Sequence, residues 1–174
     1  MILRVSSGDS GLLKYFSCSS AMPWIRDECM NLSKKEIKEL VELDARCFDP
    51  PINYSSRDIK FYTLHPEAIL LREYEKKTLI AYCLGNAKDG NIITIDVHPL
   101  YRRRGLGRRL LVQMLREFRA RNIAQAISQI ALDNLPSIQL HQSLGFQIRH
   151  ILYGYYPDGT AAYELVLPLS PIKS

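Results

Sequence analysis

A chain of 174 residues with 47% hydrophobic content suits one folded domain with a full core and excludes a disordered protein. The formal net charge of +5 is uneven: residues 102 to 121 hold eight arginines against Glu117, a window of +7 beside a remainder of −2. No apolar run approaches the roughly 20 residues of a membrane helix, so no membrane partner is expected. Cys18, Cys29, Cys47 and Cys83 show no metal-ligand spacing. They read as reduced thiols in a cytoplasmic protein without a secretory signal or a metal.

The elements follow in chain order. An extension over residues 1 to 22 precedes a domain over 23 to 174, which opens on a strand expected at 24 to 30. Asn31 or Ser33 caps the next helix, with Glu36 placed as the capping-box partner of Ser33. Ile37, Leu40, Val41, Leu43 and Ala45 then keep helical spacing, and the helix is expected to end near Phe48, ahead of Asp49-Pro50-Pro51. A short second helix is expected over 56 to 62. Strands over 68 to 74 and 78 to 84 pair through Glu75-Lys76-Lys77, and Asp89-Gly90 turns the chain into a strand over 91 to 97. A long helix and a strand over 126 to 132 come next. Asp133 or Asn134 caps a short helix that admits Pro136 in its first turn and ends at Gly145. A hairpin of 146 to 156 against 161 to 167, around Pro157-Asp158-Gly159, closes the chain. The order predicts an α/β fold with a mixed sheet and helices on both faces.

Arg102-Arg103-Arg104-Gly105-Leu106-Gly107 stands between the strand at 91 to 97 and the long helix. A strand that runs into a glycine-containing loop and then a helix N-terminus builds an anion site, because the first helical amides lack partners and the dipole favours negative charge there. The glycine spacing matches neither the phosphate loop of nucleotide hydrolases nor the dinucleotide fingerprint. A compact polyphosphate accounts for the loop arginines. The arginines further along the helix read as a solvated face, and the chain lacks the interleaved aromatic residues that bind single-stranded nucleic acid.

Arg102-x-x-Gly105-x-Gly107 resembles the pyrophosphate loop of the GNAT superfamily of acetyl-CoA-dependent N-acetyltransferases. Asn134-Leu135-Pro136-Ser137-Ile138-Gln139-Leu140-His141 through Gly145-Phe146 is similar to that family's second motif. Gly154-Tyr155-Tyr156-Pro157 resembles the tyrosine hairpin of protein N-terminal acetyltransferases, including the ribosomal-protein alanine enzymes. Arg46-Cys47-Phe48-Asp49-Pro50-Pro51 is similar to their first interhelical loop. Together these span roughly residues 24 to 168. The resemblance implies a mostly antiparallel sheet splayed at its centre, with acetyl-CoA as co-substrate. It implies that the backbone of Ile95 and Val97 holds the pantetheine arm. The amides of Arg102, Arg103, Arg104, Gly105, Leu106 and Gly107 would hold the pyrophosphate, and Asn134 would help near the thioester. Phe48 and Pro50 would limit the first acceptor residue, with Tyr54 adding a contact. Tyr155 and Tyr156 would line the peptide groove, one facing in and the other facing the core, as neighbours on a strand do.

The implied reaction needs a free amine, donors for an oxyanion and a proton for the leaving thiolate. The positions where the family commonly carries a carboxylate base are Asn91 and Gln129, and an amide is no base. The family's acidic tyrosine is replaced by His141, which is expected to protonate the thiolate or to donate a hydrogen bond to it. Its plain alternative is a partly exposed helix residue. His98 reads as a structural or rim residue. An α-amine with a pKa near 8 is roughly a quarter free at pH 7.5, whereas about one lysine in a thousand is. The expected acceptor is therefore the N-terminal α-amine of a protein or peptide, such as a ribosomal protein. Two alternatives stand beside it: a small-molecule amine, and an acetyl-CoA-binding protein with little or no catalysis. Nucleic acid is expected only through a ribosome-associated substrate.

Overall fold

The computed structural model describes residues 31–169, so the extension at 1 to 22 and the strand expected at 24 to 30 lie outside the described residues. Helix α1 spans Lys34–Asp44 and α2 spans Ser56–Thr63. Ser33 and Glu36 close the expected capping box on α1. Arg72 donates to Glu36 at 2.7 Å, and that bond holds the Glu36 carboxyl down at about 2. Ser55 and Asp58 form a second box on α2. Strands β1 (Ala68–Glu75), β2 (Thr78–Asn86) and β3 (Asn91–Val97) follow as an antiparallel meander. Helix α3 (Leu106–Ala120) crosses to β4 (Gln125–Ala131), which lies parallel to β3. Helix α4 (Leu135–Gln142) leads to β5 (Gln147–Leu152) and β6 (Ala162–Pro168).

The sheet order is β1-β2-β3-β4-β6-β5, with β6 inserted between β4 and the edge strand β5. One face carries α1 and α2 over a core that includes Leu40, Tyr54, Ile59, Tyr82 and Ile93. The other carries α3, whose Leu110, Leu111, Met114 and Phe118 pack on Ile95, Val97, Ala126 and Ile130 together with Ile138 of α4. Two features position the site. Gly85 pairs with Ile92 and Leu84 with Thr94, so Ile93 is an extra, bulged residue in β3. And β3 meets β4 at only two register positions, Asn91 with Ile127 and Ile92 with Ser128, before the strands part.

Candidate active site

Gly90 brings β3 and β4 together. Its φ of +73° is left-handed, and a Cβ there would stand 2.0 Å from the Gln125 carbonyl oxygen. The Ile127 amide donates to Gly90 O at 2.9 Å, and beyond Ile92 the strands diverge. Alternate residues of an antiparallel pair turn their N–H and C=O toward the partner. His98 N–H donates to Ile80 O, so past the bulge Thr94 and Asp96 turn to β2 and Ile95 and Val97 are directed into the gap. Leu132 N–H donates to Ala161 O, so by the same alternation Gln129 and Ala131 face the gap from β4. The result is a slot lined on both sides by strand backbone, which an extended amide-containing arm can join as a strand would. The Val97 carbonyl is already engaged by Arg102 Nε at 3.1 Å and by Cys47 Sγ at 3.4 Å, so Val97 offers the slot its N–H. Burial pushes the Cys47 thiol up to about 12.

Past the slot, His98 caps a single turn over Pro99–Tyr101, accepting from Leu100 N–H at 3.2 Å, which is the structural role expected of it. Arg103 and Gly105 are both left-handed, with φ of 65° and 76°. Left-handed residues this close together curl the chain into an amide-lined concavity. A non-glycine in that region costs of order 1–3 kcal/mol, and such strain clusters at ligand sites. Helix α3 starts at Leu106, so the amides of Leu106, Gly107 and Arg108 have no carbonyl four residues back within it. A Cβ on Gly105 would meet nothing within 4 Å, so the space over the loop is open. Arg102 turns back to β3, Arg104 stacks over Tyr101 at 4.9 Å and Arg103 is exposed. Arg108 donates to Ser143 Oγ at 2.9 Å and Arg109 pairs with Glu73 at 3.5 Å. Backbone and helix dipole form the cradle, with arginine charge at its rim. Slot and cradle together suit a diphosphate that carries an extended arm.

The α1–α2 connection forms a wall on the other face. Its anchor, Asp44, is fully buried and accepts from Tyr54 N–H at 2.5 Å. Sequence reasoning passed over this residue. The signal was an acid in the last turn of a helix, where the dipole opposes it and a donor must compensate. Asp96 accepts from Thr94 Oγ1 at 2.6 Å and stands opposite Tyr82 across β2 and β3. Burial, then Asp96 and Asp44, push the Tyr82 phenol well up. Tyr54, expected in the groove, is a core residue, 2% exposed with its ring edge-on to Tyr62. Phe48 packs half-buried against that core, and Pro50 is exposed.

The tyrosine pair departs from expectation. β5 stops at Leu152 and Gly154 turns the chain with a φ of 62°, so Tyr155 and Tyr156 lie in a loop rather than on a strand. Freed from strand alternation, their rings meet edge-on at 5.1 Å instead of facing opposite ways. Tyr156 is buried and its hydroxyl donates to Gln129 O at 3.4 Å, which brings the loop to the wall of the slot; Tyr155 is half-buried.

On α4, Asn134 is the N-cap and accepts from Ser137 N–H at 3.3 Å. His141 is wholly buried, with its ring edge-on to Phe146 at 4.9 Å. Its Nδ1 lies 2.8 Å from Ser137 O, and a carbonyl only accepts, so Nδ1 carries the ring proton. Burial pushes its pKa down to about 4. Both roles expected of His141 need a spare proton, and the neutral ring has none. Desolvation disfavours the imidazolium, and the Ser137 carbonyl takes the remaining N–H.

A family model described as Acetyltransferase (GNAT) family matches residues 37–146. An N-alpha-acetyltransferase of Sulfurisphaera tokodaii is 34% identical over 83 residues, 47% of this chain and 50% of the relative. The [Ribosomal protein bS18]-alanine N-acetyltransferase of Escherichia coli K12 is 32% identical over 85 residues, 49% of this chain and 57% of the relative. The chain spans about half the length of these curated relatives. The crystal structure of the ribosomal-protein-S18-alanine N-acetyltransferase from Escherichia coli superimposes with a TM-score of 0.72 at 23% identity, over 83% of this chain and 95% of that one. At that identity the likeness speaks for the fold.

Proposed function

Because the chain belongs to the GNAT family of acetyltransferases, we propose that it moves an acetyl group from acetyl-CoA to an amine, foremost the N-terminal α-amine of a protein such as a ribosomal protein. The observation that carries the reading is the slot between β3 and β4, which ends at the left-handed loop and the α3 N-terminus. Ile95, Val97, Gln129 and Ala131 would bond the pantetheine arm, and the amides from Arg103 to Gly107 the pyrophosphate, the Arg102 amide being taken by Pro99 O at 3.3 Å. Asn134, at the N-terminus of α4, would assist near the thioester. Bound acetyl-CoA supplies a thioester carbonyl. The amine nitrogen bonds to its carbon, the carbon–sulfur bond breaks, and the amine proton reaches the thiolate through solvent. Tyr155, Tyr156, Phe48 and Pro50 would border the acceptor.

The α-amine is favoured on two grounds. The curated relatives are named for N-alpha and ribosomal-protein alanine acetylation. No carboxylate stands at 91 or 129 to deprotonate a lysine. Among the described residues no helix is long and apolar enough to cross a membrane, and a cytoplasmic location belongs to this reading. A second reading, acetyl-CoA binding with little or no turnover, is favoured by the neutral His141 together with Asn91 and Gln129.

Free-thiol release with mass spectrometry, on peptides beginning Ala, Ser, Met or Thr and on an Nα-capped lysine peptide, tests both. Acetylation of the α-amine is expected. Faster lysine acetylation overturns the acceptor, and acetyl-CoA binding without thiol release selects the second reading.

A further inference from the structure

Asn91 and Gln129 share an unusual environment. Ile92 belongs to the core under α3, so Asn91 projects to the α1–α2 face. Ala126 and Ile130 belong to that same core, so Gln129 projects to the α1–α2 face as well. Asn91 is in register with Ile127, two residues before Gln129. Strand rise and spacing therefore set the two Cα atoms at least roughly 8 Å apart, at the point where β3 and β4 part. Glutamine and asparagine side chains span that separation. Gln129 is 8% exposed, and the Tyr156 hydroxyl reaches its backbone carbonyl. Asn91 Oδ1 and Gln129 Oε1 are both buried and have no hydrogen-bond partner among the described residues. A buried amide oxygen without a donor costs about 1–3 kcal/mol, so two of them on one face mark a place built for a donor that arrives with a ligand.

We propose, on the acetyltransferase reading above, that Asn91 and Gln129 form the amine-binding pair, their amide oxygens accepting N–H bonds from the acceptor amine at the closed end of the slot, where the strands begin to part. Neutral acceptors have a consequence that carboxylates lack. A carboxylate beside an amine favours the ammonium and raises its pKa, whereas an amide oxygen brings no charge. An α-amine held by amides keeps a pKa near 8 and is roughly a quarter free at pH 7.5, while lysine at 10.4 stays protonated. The pair thus restricts the site to amines that are nucleophilic without a base.

The test is equilibrium binding to the protein–CoA complex of an alanine-initiated peptide and of its desamino analogue, in which propionyl replaces alanine. The natural chain should prefer the amine about tenfold. Gln129→Leu, and the double substitution Asn91→Leu with Gln129→Leu, should lose that preference and raise the peptide KM about tenfold. Gln129→Met, unbranched like glutamine, substitutes if the leucine variant fails to fold. A preference that survives the double substitution overturns the pair, whether or not α-amines are acetylated. A natural chain that neither prefers the amine nor releases thiol with any peptide overturns both the pair and the acetyltransferase reading.

Discussion

His141 holds no charge at neutral pH because its surroundings allow none. The unfolded ring titrates near 6.5 and the folded ring near 4, so between those values the unfolded chain binds the extra proton. Stability contributed by burying the neutral ring is complete above about pH 6.5 and is lost as pH falls toward 4, a span of about 3 kcal/mol. His141→Phe keeps the aromatic contact with Phe146 and removes the titration. Its thermal midpoint should fall less than that of the natural chain between pH 7 and pH 4.5. Its turnover at pH 7.5 should stay within a few-fold, and a loss of a hundredfold or more would restore His141 as a catalytic group. The identity of residue 141 was legible in the motif. Its protonation state was not, because that depends on Ser137 O and on desolvation by packing.

Elements are where local sequence speaks best. The capping box of Ser33 and Glu36, the turn at Asp89-Gly90 and the long helix behind the Arg-Gly loop follow from contacts within a few residues, and each forms as expected, the helix starting at Leu106. The β3 bulge at Ile93 and the end of β5 at Leu152 depend on partner strands, and local pattern carries no trace of them. Gly90 and Gly105 separate two uses of a left-handed glycine. Gly105→Ala meets open space, so its cost is the backbone conformation alone, about 1–2 kcal/mol. Its Cβ enters the proposed cradle, and acetyl-CoA affinity should drop at least tenfold by titration calorimetry. Gly90→Ala sets a Cβ against the Gln125 backbone at 2.0 Å, and the β3–β4 contact cannot form without a shift. Thermal denaturation should find Gly90→Ala the more damaging for stability by a wide margin. The reverse order would mean that the closeness of β3 and β4 does not depend on Gly90.

The whole molecule is a sheet nearly divided in two. The halves share two register positions between β3 and β4, and α3 and α4 hold them together from one face. A ligand seated in the gap bonds to both halves, so it should stabilise the entire fold, by about 2.7 kcal/mol at a hundred times its Kd. Hydrogen exchange should show acetyl-CoA protecting the amides of Ile95, Val97, Gln129, Ala131 and Leu106 to Arg108. Protection that spares both sides of the gap would refute the slot. The basic window at 102 to 121 was legible as charge, yet Arg102, Arg108 and Arg109 bond to β3, Ser143 and Glu73, partners that only the fold supplies. By itself the sequence determined the order of elements, the anion loop and the family resemblance, because these rest on periodicity, capping and short motifs. The tertiary structure decided that His141 is buried and neutral, that Tyr155 and Tyr156 meet edge-on in a loop, and that Asn91 and Gln129 project from one face of the sheet near the parting of the strands. Each of those depends on burial and on neighbours distant in the chain, and no local pattern encodes either.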